Sequence, residues 1–159
     1  MRRIATTILL CLAAAAPPVQ PASQAQLERM IAYIQASHIA GNVPPPAAFD
    51  RLLQRDLQAY FARRGIRKPI VRYALLRDAP TQSGIAYPKY YLWVSVWSRG
   101  RPAASGAARV EAIERKRFEI THFVARTEIL SDPEAISSVF PAPLIGPIRE
   151  RAAEAFSRP

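Results

Sequence analysis

Chemistry in this chain of 159 residues would have to come from very few side chains. It has two histidines, His38 and His122, and one cysteine, Cys11. One chain therefore cannot build a three-histidine metal site, a cysteine-framed zinc site or an intramolecular disulfide. No HExxH, GxSxG, Ser-x-x-Lys, glycine-rich phosphate loop or acidic calcium loop occurs, so neither metal nor cofactor is expected. His122 is the sharper of the two imidazoles. Strand alternation sets it beside Phe118, Ile120 and Val124 on one face, where an apolar surrounding would tune it for acid or base work with a carboxylate partner. Asp56, between Leu53 and Tyr60 at the edge of an apolar helical stripe, is the most interesting partner. Glu111 and Glu119 are alternatives, although Glu119 reaches the face of His122 only if the strand carries a bulge. The competing reading of His122 is a core-edge histidine bonded to backbone or to a tyrosine. His38 reads as a packing or surface residue.

Two further groups of residues suggest binding. In the segment 87–98, Tyr91, Trp93 and Trp97 fall on one side and Tyr90, Leu92, Val94 and Val96 on the other, so both faces of that strand are apolar. Both must then be covered: by helices on one side, and by a curled sheet, a partner subunit or an apolar small molecule on the other. Tyr91, Trp93 and Trp97 are thus candidates for ligand contact, a second small core or a homodimer interface. The segment 63–77 carries Arg63, Arg64, Arg67, Lys68, Arg72 and Arg77 and no acid. A second basic group, Arg99, Arg101, Arg115, Lys116 and Arg117, falls in turns. Such charge can hold anionic lipid, polysaccharide phosphates or an acidic protein, or can simply be a solvated basic surface.

These residues need elements to position them. Apolar residues at Leu27, Met30, Ile31 and Ile34 predict a helix ending near Gly41, and a proline connector follows at Pro44, Pro45 and Pro46. Phe49, Leu52, Leu53, Leu57, Tyr60 and Phe61 predict a second helix, with Asp50 in its first turn and Gly65 just past its end. Strands are predicted over 70–77, 87–98, 107–114 and 117–127, joined by turns at 99–102 and 115–116. Such short links imply an antiparallel meander. Ser131, Pro133 and Glu134 read as a capping box opening a short helix, and a last helix begins near Pro143 or Pro147. The expected fold is α+β: two N-terminal helices, a four-stranded antiparallel sheet, one or two short C-terminal helices, with the helices on one face. In architecture alone this order resembles the cystatin and nuclear-transport-factor-2 rolls. No motif of either family is present, so no functional residue is carried over.

The N-terminus has its own signature. Arg2 and Arg3 precede the uncharged, apolar run 4–16, too short to span a bilayer, and Ser23-Gln24-Ala25 offers small residues for a signal peptidase. Residues 1–25 therefore read as a Sec-type signal peptide and 26–159 as one domain, delivered to the periplasm or secreted. Cleavage after Ala25 would remove Cys11 and two of the 22 basic side chains but none of the 12 acids, so the net charge would fall from +10 to +8. A thiol-free chain suits an oxidising compartment. Half of the residues are hydrophobic, ordinary for a globular domain. The expected function is a non-catalytic binding or accessory module of the cell envelope. A pocketed or enzymatic roll and a basic surface protein are the alternatives, and nucleic acid is not an expected partner.

Overall fold

The structure, a computed structural model, describes residues 23–154. The arginine pair and apolar run of the expected signal peptide lie outside them, as do residues 155–159. Within the described residues the order is α1 (Gln24–Asn42), α2 (Pro46–Arg63), β1 (Ile70–Leu75), β2 (Lys89–Ser98), β3 (Arg101–Ile113), β4 (Arg117–Ala125), α3 (Arg126–Ser131), a 3-10 turn (Pro133–Ile136) and α4 (Ala142–Ala153). The strands form one antiparallel sheet in sequence order, β1-β2-β3-β4. It is the α+β meander expected from the sequence.

Helices cover both faces of the sheet, not one, and the reason is legible in β2. Its even-numbered side chains Tyr90, Leu92, Val94 and Val96 join Leu52, Leu53, Leu57 and Phe61 of α2 in the main core. Its odd-numbered Tyr91 and Trp93 join Ala107, Val124, Ile129 of α3, Ile136, and Phe140, Leu144, Ile148 and Ala152 in a second core. Each fully buried leucine or isoleucine contributes roughly 1.5–3 kcal/mol relative to exposure. With apolar residues on both sides of β2, two helical layers are stabilised and a one-sided arrangement would leave half the strand wet.

Several boundaries moved for local reasons. Strand β3 begins at Arg101, six residues earlier than expected, because the β2–β3 connection is a two-residue hairpin with Arg99 and Gly100 at φ +51° and +75°. The β3–β4 hairpin likewise turns on Glu114 and Arg115, at φ +50° and +59°, one residue before the expected position. Strand β4 stops at Ala125, so Arg126 and Thr127, expected at the end of the strand, instead open a helix that runs to Ser131. Ser131 closes α3 rather than opening a helix; the cap of the following turn is Asp132, whose carboxylate accepts from the Glu134 N–H at 3.1 Å. Gly41 lies inside α1, and the helix ends at an extended Val43. Asp50 sits beyond the first turn of α2 and accepts the Tyr73 hydroxyl at 2.9 Å.

One glycine sets the inter-strand spacing. Gly106 pairs with Val94 on β2 and Ala125 on β4, and a Cβ placed on it would run into the Val124 carbonyl oxygen. Only a residue without a side chain lets the two backbones lie this close.

Candidate functional site

The imidazole and the carboxylate that the sequence suggested as a pair are on opposite faces. Asp56 points from α2 into the first face, where it accepts the Phe118 N–H at 2.6 Å and the Arg55 guanidinium at 2.8 and 3.1 Å. The same bond to Asp56 raises the pKa of Arg55, and Arg55 also donates to the Lys116 carbonyl at 3.0 Å. Asp56 is thus a clasp joining α2 to the start of β4, its oxygens occupied by donors of this chain.

His122 lies on the second face because β4 bulges. Val110 pairs with Ile120 but Arg109 pairs with His122, so Thr121 is an extra residue and the alternation flips there. Phe118 and Ile120 face α2, as does Phe123, which stacks edge-on against Phe61 at 5.1 Å. His122 is exposed on the other side, and the expectation that it shares a face with Phe118 and Ile120 is corrected. The bulge does bring Glu111 and Glu119 to its side. Its nearest partner is a cation: Arg109 donates to His122 Nδ1 at 2.7 Å. An arginine can only donate, so the ring is neutral and carries its proton on Nε2. Partial burial and the Arg109 charge lower the pKa of His122, with Glu111 opposing them. Arg109 also donates to Thr121 Oγ1 at 3.2 Å and to the Val139 carbonyl at 3.3 Å. The sequence reading passed over Arg109, although an arginine inside the run Ala107, Ala108, Val110 was the available signal.

The aromatic residues of β2 are packed into the protein. Tyr91 is 4% exposed, 5.9 Å from the Phe140 ring, with its hydroxyl hydrogen-bonded to that of Thr81 at 2.9 Å. Trp93 packs against the same core. Trp97, also 4% exposed, lies further along the face under the Arg72 guanidinium at 5.9 Å. The cover left open as sheet, partner or ligand is supplied by α3, the 3-10 turn and α4 over Tyr91 and Trp93.

The basic residues of the segment 63–77 are distributed over the end of α2, the connections on either side of β1, and β1 itself. Arg64 lies over the Tyr60 ring at 4.5 Å, Arg72 over Trp97 on the opposite face, and Arg67, Lys68 and Arg77 are exposed in the connections flanking β1. Arg63 lines a groove of about 500 Å3 between α2 and β4, with Arg55, Asp56, Tyr60 and Arg117. Two of those arginines are already matched, Arg55 by Asp56 and Arg117 by Glu119 at 3.5 Å.

The surface that stands out is α1. Leu27, Met30, Ile31, Tyr33 and Ile34 are 48, 56, 55, 76 and 44% exposed, and the only buried residue of the helix is Asn42 at its end. Residues this apolar at helical spacing ordinarily mark a core face, yet here the stripe faces solvent. The reason is where α1 attaches. The Asn42 side chain accepts the Glu114 N–H at 3.0 Å and donates to the His38 carbonyl at 2.9 Å, while its carbonyl accepts the Arg115 N–H at 2.8 Å. Val43 packs on the core and α2 departs at Pro46. The helix is held by its last turn against the β3–β4 hairpin, and α2 occupies the sheet face it would otherwise cover. At the other end, Ser23 and Gln26 form a reciprocal capping box, so the expected cleavage bond after Ala25 falls in the first turn of α1.

Comparison with protein-family models, curated proteins and solved structures returned no match. Among the described residues no group of three or more His, Cys, Asp or Glu side chains is arranged to hold a metal ion, and no helix is long and apolar enough to cross a membrane.

Proposed function

We propose that the chain is a binding module exported to the cell envelope, and that α1 is the element with which it docks onto a protein surface. The observation that carries this reading is the run of five large apolar side chains exposed along a helix whose only buried residue is at its attachment point. Water contact at such a stripe is unfavourable by about 25 cal/mol for each Å2 of apolar surface, and covering it is the natural source of binding free energy. The polar sites point the same way. Asp56 and His122 lie on opposite faces, and the oxygens of Asp56 and three N–H donors of Arg109 are engaged in holding elements together. Export rests on the arginine pair, the apolar run and the small residues before Gln26.

A photo-crosslinking amino acid at Ile31 tests the reading in cells. It should give a discrete adduct in the envelope fraction, while the same probe at Tyr87, exposed in the connection between β1 and β2, should not. Equal labelling at both positions, or none at Ile31, rejects α1 as the docking element. Fusing residues 1–25 to a phosphatase that is active only outside the cytoplasm tests export separately.

A further inference from the structure

We infer that the surface docking on α1 is α1 of a second copy, the two helices running antiparallel in a symmetric dimer. This rests on the reading of α1 as the docking element and names its partner. The first observation is the pattern of the stripe. Leu27, Met30, Ile31 and Ile34 are separated by three, one and three residues, a spacing that reads the same in both directions. A two-fold axis midway between Met30 and Ile31 therefore sets Leu27 against the partner's Ile34 and Met30 against the partner's Ile31. Each of these four apolar residues then meets another of them, as a symmetric interface built from one patch requires.

The second observation is charge. Residues 43–154 carry 18 basic and 11 acidic side chains, a net +7, whereas α1 holds only Glu28 and Arg29 and is neutral. Bringing two such bodies together by another face would confront like charges. Helix α1 is 19 residues long, about 28 Å, and is fixed to the body only at its C-terminal end. Antiparallel pairing places the two basic bodies at opposite ends of that span. This separation exceeds the screening length of about 8 Å at physiological ionic strength several-fold. A parallel pair would set the bodies side by side. The stripe is short against the roughly 800 Å2 per partner of a standard stable interface, so the dimer is a dissociating one.

Sedimentation velocity on the purified protein from about 1 to 500 µM reads this directly. A monomer–dimer equilibrium is expected, with Ile31→Glu monomeric throughout; Ile31 is half exposed, so an unchanged circular-dichroism spectrum shows that the variant is folded. Orientation is read in a Cys11→Ser background: Leu27→Cys mixed with Ile34→Cys should form an intermolecular disulfide, and Leu27→Cys alone should not. A monomer at every concentration, a dimer indifferent to Ile31→Glu, or self-linking by Leu27→Cys overturns the antiparallel dimer. If the chain is monomeric yet the Ile31 probe labels a different envelope protein, this inference fails while α1 remains the docking helix.

Discussion

At the scale of single residues, the polar groups with chemical potential are used as fasteners. Asp56 receives a backbone N–H and a guanidinium in a partly buried position, so removing it strands the Phe118 N–H and leaves Arg55 without its counter-charge. Asp56→Ala should lower stability by about 1–3 kcal/mol, read from the urea midpoint; a loss under about 0.5 kcal/mol would show the clasp to be incidental. The pair Arg109–His122 predicts a pH dependence whose sign follows from linkage. The folded protein holds His122 below its ordinary value through burial and the Arg109 charge, so the unfolded chain takes up the proton first. Stability from this site is present above about pH 6.5 and is lost as pH falls through that value toward the lower folded one. His122→Gln should flatten that part of the profile in thermal melts from pH 8 to 5. An identical slope in both proteins would place the dependence elsewhere.

Elements follow from local sequence where one face decides them, and depart from it where backbone geometry intervenes. Helix α2 is readable because Phe49, Leu52, Leu53, Leu57 and Phe61 form one stripe and all meet the sheet. Strand β4 is readable as a strand but not in its facing, since the extra residue Thr121 reverses the alternation and nothing in the residues 117–125 announces it. The β3–β4 hairpin places two non-glycine residues, Glu114 and Arg115, in the left-handed region. It is held there by Asn42 from a helix 72 positions away in sequence, a support no local pattern displays. Gly106 is the opposite case, where one missing side chain governs how closely β4 approaches β3. Gly106→Ala should destabilise by about 2–3 kcal/mol, since the collision is with backbone and not with a side chain that can turn aside. Chevron analysis or an equilibrium melt with a shift near zero would show that β4 can move away without penalty.

At the scale of the molecule, the described residues divide into a two-core body and an attached helix. The cores are separate sets of residues on the two faces of one sheet, and α1 adds no buried apolar residue to either. A chain starting at His38, which keeps Asn42 and the last turn of α1, should therefore unfold within about 1 kcal/mol of the longer protein at concentrations where both are monomeric. A large loss would mean that α1 packs against the body in solution. The same division gives the surface its character: the positive charge is spread around the body, and the exposed apolar area is concentrated on α1.

The sequence by itself determined the two N-terminal helices, the four strands of the antiparallel meander and the two-sided apolarity of β2, because hydrophobic period and turn residues act within a few positions. It also determined which chemistries are out of reach, since a side chain that is absent cannot be supplied by folding. Only the tertiary structure decided that C-terminal helices cover Tyr91 and Trp93, that Asp56 and His122 face apart, that Arg64 and Arg72 of one basic segment lie over different rings, and that the stripe of α1 is left uncovered by the body. Each of these depends on which surfaces compete for the same sheet face and on one extra residue in β4. A periodic pattern records that a face must be buried, but not against what.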